Sequence, residues 1–420
     1  MAALAVGGWF ALRPLPSVAR EPSLAVLPFV NMSGDPSQDF YGPGIAEDII
    51  MMLSSYPSLR VVSRTSSFVY DKPVQVQQVG KELKVNYVIE GSVRRAGNKV
   101  RVTAQLINAS TGVHVWAERF DEESSDVAAL QDDVAKRVYD TLAGLKGEVR
   151  RQEEADAWSK SAPSLGEYDY YLRGHPYFFQ FTAEGNKKAG EIWREGLTKF
   201  PNSALLRAKM AFVHTLEITS GRSADPWQET LAARKYATEA DAIGDKSRLT
   251  ALLTKWAMCW VYYLHDGNYS RASSTADGVV QTIPYDVFTK ADLAFIKIVA
   301  GDLDQAIAWL EDSVRRDATP PAWYYGNLGL AYYFADRPQD ALTMYDKADL
   351  SYLELLRAAA EVRANRLDDA RNSIAGYLKE FPGWTIAKEA TFPSGRHPQF
   401  IEPLLTQYLN DLAKAGLPPG

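Results

Sequence analysis

The chain has 420 residues, of which 46% are hydrophobic and 23% charged, and this composition excludes an intrinsically disordered protein. Its 46 Lys and Arg residues against 52 Asp and Glu residues give a net charge of −6, which argues against general nucleic-acid binding. The single cysteine, Cys259, excludes an intrachain disulfide and a cysteine-rich zinc site.

The N-terminus is an apolar run, 1–12, that ends at the sequence RPLP. A helix of about 12 residues is about 18 Å long, which is shorter than the ~30 Å hydrocarbon core. A signal peptide would have Lys or Arg before its apolar run, and none precedes this one. Three interpretations stay open: part of a membrane span, a weak signal or anchor, or a short buried or disordered segment. We assign 1–12 as a partial membrane anchor or signal remnant and the proline-rich stretch 13–22 as a linker.

Residues 23–150 predict strands and helices in alternation, judged from apolar spacing and from turn residues between the runs. The first predicted elements are a strand at 24–29, a loop at 31–43, a helix from about 45 that ends at 56–57, a strand at 59–62 and a short helix at 76–83.

A hairpin follows, because the strands Tyr87–Arg95 and Lys99–Ile107 flank the tight-turn pair Gly97-Asn98. The second of these strands alternates apolar and polar residues, which predicts one buried face and one solvent-exposed face. A third strand, His114–Phe120, and a helix from about 127 to 145 complete the unit. The pattern predicts an α+β domain at 23–150, a small mixed sheet with packed helices.

From about 165 to 420 the pattern is helical and repetitive, after a charged stretch that ends in the boundary-like sequence SAPS. A four-residue motif ending in alanine recurs at steps of 34, 35 and 29 residues, at 269–272, 303–306, 338–341 and 367–370. A period near 34 with a small residue where two helices touch is typical of tetratricopeptide repeats (TPR). We expect an all-α TPR superhelical solenoid of about six helical pairs, capped by a helix over about Ile401–Ala415.

The first domain resembles a known family in five blocks that occur in order. The blocks are SLAVLPFVNMSGDP at 23–36, FYGPGIAEDII at 40–50, LRVVSRTSSF at 59–68, YVIEGSVRR at 87–95 and HVWAERFD at 114–121. Together they resemble the TolB amino-terminal-type domain of bacterial signalling proteins. The segment YDYYLRG at 168–174 and the helical repeats after it are also similar to proteins of that architecture.

The resemblance implies a sensing or scaffold portion of such a protein. In that architecture the two domains commonly follow a single membrane span, and the upstream module is often a class III adenylate or guanylate cyclase or a winged-helix domain. We therefore expect a non-catalytic sensing and protein-interaction module, anchored in the inner membrane and facing the periplasm, with a cytoplasmic location as the alternative. Two other functions stay open: the regulatory half of a cyclase whose catalytic domain lies outside this chain, and a stand-alone periplasmic assembly or scaffold factor.

The sequence offers no catalytic, cofactor or metal constellation. The acidic residues Asp35, Asp39, Glu47 and Asp48 could ligate a cation but fit no EF-hand spacing, and acidic residues near a helix start also cap the helix and suit its dipole. The Gly-Pro-Gly sequence at 42–44 lacks the Lys and Ser/Thr of a phosphate-binding P-loop. We predict no catalytic residue, no cofactor and no bound metal.

The aromatic residues of the repeats are the candidate binding residues. We predict a protein-binding groove on the concave side of the array. It is lined by residues from the first helix of a helical pair, namely Phe288, Phe295, Trp323, Tyr333 and Phe334. The alternative is that neighbouring helices bury these side chains in the core. The expected partner is a protein or peptide, and the sequence specifies neither its identity nor the oligomeric state.

Overall fold

The computed structural model describes residues 22–71, 74–96, 99–123, 127–143, 147–245, 247–317, 319–348, 353–390 and 398–420. The predicted anchor at 1–12 lies outside these residues, as does all of the predicted linker except Pro22. Within the described ranges, no helix combines the length and the apolar character needed to cross a membrane.

The first part of the chain forms a mixed sheet of short and long strands. The strands are β1 (Ser23–Val26), β2 (Val30–Asn31), β3 (Arg60–Val61), β4 (Tyr87–Ala96), β5 (Lys99–Asn108) and β6 (His114–Glu123). Their order is β3-β1-β4-β5-β6, with β1 parallel to both neighbours and β2 parallel to β4. The antiparallel β4–β5 pairing, from Tyr87 opposite Asn108 to Ala96 opposite Lys99, confirms the predicted hairpin, although its turn residues lie outside the described ones.

Helices cover both faces of this sheet, so apolar residues are buried on each side. These helices are α1 (Tyr41–Ser54), α2 (Arg64–Ser67), α3 (Val76–Leu83) and α4 (Val127–Leu142), with a 3₁₀ turn at Pro36–Gln38. One core joins the sheet to α1 and α4, and a second, smaller core joins its other face to α3. The alternation of β5 is confirmed, since its apolar positions are buried and the polar ones between them are not.

Helix α1 begins earlier than the sequence predicts, because residues 41–43 are helical and the predicted loop is shorter. A glycine makes this start possible: a Cβ atom added at Gly42 would lie 1.9 Å from the carbonyl oxygen of Phe29. The first turn of α1 therefore packs directly against the chain that leaves β1. Pro43 is tolerated there, because the first turn of a helix does not need its missing N–H group.

The second part of the chain, from 147 onward, is helical throughout the residues described. Its helices are α5 (Glu148–Ser159), α6 (Glu167–Phe178), α7 (Ala183–Lys199), α8 (Ala204–Thr219), α9 (Pro226–Ile243), α10 (Arg248–Leu264), α11 (Tyr269–Thr282), α12 (Val287–Val299), α13 (Leu303–Arg316), α14 (Ala322–Phe334), α15 (Pro338–Ala348), α16 (Glu354–Arg363), α17 (Leu367–Glu380), α18 (Ile386–Glu389) and α19 (Glu402–Ala415), with a 3₁₀ turn at Ala162–Ser164. An α+β domain followed by a long helical region is thus the observed architecture.

Helices α6 to α17 pack as six consecutive pairs, in agreement with the expected number. The repeated alanine motif opens the second helix of four pairs, and its alanines at 272, 306, 341 and 370 are all fully buried. The first helices α6, α8, α10, α12 and α14 also contact one another in order, and we call them the first-helix layer. Membership of the TPR class stays a prediction.

Helix α5 joins the two parts and packs on both. Val149 near its start belongs to the sheet core, whereas Ala157 near its end belongs to the helical core. The Tyr87 hydroxyl of β4 donates a 2.9 Å hydrogen bond to Glu153 in its middle. The segment between the predicted domain boundaries at 150 and 165 therefore contains a packed helix.

The C-terminal segment 398–420 reaches back across the first-helix layer. Its helix α19 coincides with the predicted capping helix and contacts α16 and α17. In addition, the Tyr263 hydroxyl of α10 donates to the Gln399 carbonyl at 3.0 Å, and the Ile401 amide donates to the Val299 carbonyl of α12 at 3.1 Å. The segment thus covers several first helices as well as capping the last pair.

Candidate functional site: an aromatic cavity in the first-helix layer

The five predicted groove residues fall into two separate clusters. Tyr333 and Phe334 lie under the C-terminal segment, where the Tyr333 hydroxyl donates to Asp411 at 2.9 Å and the Phe334 ring contacts Phe400 at 4.9 Å between centroids. Tyr333 is 0% exposed and Phe334 is buried. In this conformation a partner does not reach either side chain, so their proposed role in docking would require the C-terminal segment to move.

The other three residues lie around a cavity on the same layer. Phe288 is buried and lines the cavity, and half-buried Trp323 packs against it at 5.6 Å between ring centroids. Half-buried Phe295 stacks on Trp260 at 5.8 Å. The indole N–H of Trp323 is buried and has no hydrogen-bond partner among the described residues.

The cavity has a volume of about 90 Å³ and opens between four first helices and the turn after α6. Its walls are mostly aromatic: Phe178, Phe179, Phe181, Phe212, Trp256, Trp260 and Phe288. Two charged side chains, Lys209 and Asp292, also line it. Apolar walls with a few convergent polar groups are typical of small-molecule sites.

Phe181 stands at the exposed side of the cavity in an unfavourable backbone conformation. Its φ is 54°, in the left-handed region that a bulky aromatic residue rarely adopts. The side chain is 36% exposed, and its ring stacks on Phe288 at 6.3 Å. Arg222 holds the turn by donating to the Phe181 carbonyl at 3.3 Å. Strained residues of this kind are concentrated at ligand and switch sites.

Lys209 brings a buried ammonium to the cavity. The residue is 3% exposed, and its Nζ lies over the rings of Phe178 at 4.6 Å, Trp193 at 4.9 Å and Phe212 at 5.1 Å. Burial, reinforced by the charge of Arg150, lowers the pKa of Lys209 to about 7. Among the described residues, no carboxylate forms an ion pair with it.

Asp292 brings a half-buried carboxylate to the cavity. Its Oδ2 accepts hydrogen bonds from the indole N–H groups of Trp256 at 2.6 Å and Trp260 at 2.9 Å. Burial raises its pKa to about 6, although these two donors oppose the shift. Both indoles use Oδ2, and Oδ1 has no hydrogen-bond donor within the described part of the chain.

A buried arginine connects the surroundings of this cavity to the α+β domain. The Tyr171 ring lies 5.9 Å from the Lys209 ammonium and 5.1 Å from the Arg150 guanidinium. Arg150 in turn donates to the Tyr56 hydroxyl at 3.1 Å and to the Ser58 hydroxyl at 3.2 Å, both in the α+β domain. A side-chain path therefore runs from the cavity to the domain interface.

Two further arginines of the helical region bind the α+β domain. Arg316 of α13 forms a bidentate ion pair with Asp140 of α4, in which the Nε–H group donates to Oδ2 at 3.2 Å. Arg248 at the start of α10 donates to the carbonyl of Ser54 at 3.1 Å. Together with Arg150 these contacts fix how the helical region sits on the α+β domain. In the parts of the chain that the structure describes, no group of three His, Cys, Asp or Glu residues is arranged to hold a metal ion.

Parts of the chain are similar to proteins of known family or name. Residues 19–137 match the family model described as the second domain of the HilA/YgeH-like transcriptional regulators. A protein of Rhizobium meliloti strain 1021 named putative adenylate cyclase 3 is 34% identical over 264 residues, which cover 62% of this chain. The match covers 44% of that protein, so the chain spans less than half the length of the curated relative.

Two solved structures resemble part of the chain. The lipoprotein GNA1162 of Neisseria meningitidis, 18% identical, covers 27% of this chain and 96% of its own, with a TM-score of 0.22. TolB of Acinetobacter baumannii, 16% identical, covers 29% of this chain and 28% of its own, with a TM-score of 0.21. Similarities of this size do not establish a shared fold.

Proposed function

We propose that this chain is a non-catalytic sensing and interaction module of a bacterial signalling protein. The helical region captures a ligand or partner, and the α+β domain transmits the event to an output domain. Two comparisons support a regulatory role: the similarity to a putative adenylate cyclase and the match of 19–137 to a domain of transcriptional regulators.

The observation that supports transmission most directly is the position of Arg150. Its guanidinium is buried between the Tyr171 ring of α6 and two hydroxyl groups of the α+β domain. A buried cation whose hydrogen bonds, within the described residues, go to neutral hydroxyl groups is sensitive to small displacements, because losing one bond leaves its charge poorly solvated. A shift of α6 would therefore change the energy of the interface.

In the form we favour, the output is cyclase activity. The 264 matched residues at 34% identity extend well beyond the α+β domain, which supports the regulatory half of an adenylate or guanylate cyclase-type protein. The resemblance to the TolB amino-terminal-type domain, the TPR class, the anchor at 1–12 and a periplasm-facing position belong to this proposal. Phe295 and Trp323 are its candidate partner contacts on the first-helix layer.

A second candidate output is transcription. The match of 19–137 to a domain of HilA/YgeH-like transcriptional regulators favours it. In that case the sensing half would be the same, and a DNA-binding domain would replace the cyclase as the output.

A chimeric cyclase tests the proposal. Residues 23–420 replace the matching part of the rhizobial relative, and cyclic AMP is measured in cells that lack their own cyclase. Arg150→Met should change the output several-fold, because it removes the interface bonds. Arg151→Met is the matched control, since this neighbour on α5 is exposed and pairs with Glu148 at the surface. Equal output from wild type and both variants would reject transmission through this interface.

A direct assay tests the absence of catalysis. The purified chain is incubated with ATP or GTP and Mn²⁺, and we expect no cyclic nucleotide. Formation that depends on the chain would overturn the non-catalytic assignment.

A further inference from the structure

We propose that the aromatic cavity binds a small zwitterion of the free α-amino acid class, with the ligand carboxylate at Lys209 and its ammonium at Asp292. The inference rests on the proposed sensing function and names the chemical class of the ligand. It follows from three features of the cavity: its two charges, its walls and its size.

The two charges are opposite and unpaired within the described residues, the ammonium of Lys209 being buried and the carboxylate of Asp292 half-buried. Lys209 on α8 and Asp292 on α12 line the same cavity, yet within the described residues neither forms an ion pair with the other or with a third group. A buried charge is strongly unfavourable unless an opposite charge and hydrogen bonds compensate it. A small ligand that carries both charges supplies both missing partners at once.

A ligand with a single charge fits less well. An anion would pair with Lys209 but would be repelled by the carboxylate of Asp292. A cation would pair with Asp292 but would be repelled by the ammonium of Lys209. At Asp292 the free Oδ1 can accept an ammonium hydrogen bond, and the rings of Trp256 and Trp260 next to it also attract a cation.

The walls and the volume limit the rest of the ligand. Seven aromatic side chains favour an apolar group beyond the charged end. The volume of about 90 Å³ is well below the roughly 300 Å³ at which pockets begin to hold drug-sized ligands. The ligand is therefore small, and Phe181 at the exposed side is placed to contact it.

A purely structural role for Lys209 explains less. Cation–π contacts with the surrounding rings would stabilise its ammonium without a ligand. They would not account for a half-buried carboxylate with a free oxygen in the same cavity, or for the left-handed backbone of Phe181. A ligand site accounts for all of these features.

Calorimetric titration of the full chain tests the proposal. The probes are the standard L-amino acids, followed by the deaminated acid and the decarboxylated amine of the tightest binder; for L-alanine these are propionate and ethylamine. We expect at least one amino acid to bind, and both single-charge analogues to bind at least tenfold more weakly. If no amino acid binds at millimolar concentration, or if the acid alone binds equally well, the zwitterion site is overturned.

Variants locate the binding. Lys209→Met and Asp292→Asn should each weaken binding at least tenfold, and Asp292→Asn keeps an oxygen for the two indoles. Lys188→Met is the control, because Lys188 is an exposed lysine on α7. Circular dichroism and thermal melts verify folding, and binding that survives Lys209→Met would also overturn the assignment.

The two proposals fail separately. An absence of amino-acid binding leaves the response of the chimeric cyclase to Arg150→Met intact. If an amino acid binds but Arg150→Met leaves the output of the chimera unchanged, transmission through the interface is rejected and the ligand site stands.

Discussion

The buried ammonium of Lys209 should give the stability of the chain a pH dependence that one substitution removes. Burial lowers its pKa from the ordinary 10.5 to about 7 in the folded chain. The unfolded chain keeps the ordinary value, so between these two pKa values it binds a proton that the folded chain does not. Stability therefore rises with pH across this window, because raising the pH removes the proton that favours unfolding.

The size of the effect follows from the width of the window. Each pH unit inside it corresponds to about 1.36 kcal/mol, so moving from pH 7 to pH 9 should stabilise the wild type by roughly 2.5 kcal/mol through Lys209. Lys209→Met lacks this contribution, while the other titrating groups are the same in both proteins. Urea unfolding at 25 °C at the two pH values measures the difference, with Lys188→Met as the control for loss of an exposed lysine.

The opposing effect is the attraction between the ammonium and the rings around it. Cation–π contacts in a desolvated site contribute ~2 kcal/mol or more. If the rings of Phe178, Trp193 and Phe212 keep Lys209 charged, the stability difference between wild type and Lys209→Met will not change between pH 7 and pH 9. A change smaller than about 0.5 kcal/mol, well below the value expected from the lowered pKa, would refute the reasoning.

Three other predictions concern packing and boundaries. Tyr333→Ala should lower the free energy of unfolding by ~3–5 kcal/mol, because Tyr333 is fully buried, and Trp323→Ala should lower it by clearly less, because Trp323 is half-buried. Equal shifts of the melting temperature would contradict this difference in burial. Limited trypsin digestion should cut first after Lys160, just beyond α5, and a first cut inside the α+β domain would refute the domain division. Gly42→Ala should destabilise the chain by ~1–3 kcal/mol in urea titrations, because its Cβ would overlap a backbone oxygen, whereas Gly278→Ala points into open space and should not.

The sequence predicted the features that depend on local pattern. The hairpin of β4 and β5 followed from alternation around a two-residue turn, and the register confirms it. The alanine motif marked the second helix of four pairs, because a small residue is needed where two helices touch. Each of these two signals is carried by residues that are close to one another in the sequence.

The contacts between distant segments could not be read in this way. Nothing near Tyr333 indicates that Asp411 accepts its hydroxyl, since the two residues are 78 positions apart. The charged wall of the cavity left a faint signal: Lys209 stands three residues before Phe212 and four after Leu205, on the apolar side of its helix. A charged residue on that side indicates burial, but the rings of Phe178 and Trp193 that surround it come from α6 and α7 and have no local pattern.

The C-terminal segment has a consequence for how the helical region unfolds. In a linear array each repeat touches only its neighbours, so terminal repeats can fray independently of the rest. Here the hydrogen bond from Tyr263 to Gln399 spans 136 positions and ties α10 to the chain end, while Ile401 ties α12 to it as well. Release of the C-terminal segment therefore breaks contacts in the middle of the array as well as contacts with the last pair. The array should unfold as one cooperative unit rather than repeat by repeat, and its folding should be slowed by the long loop that has to close.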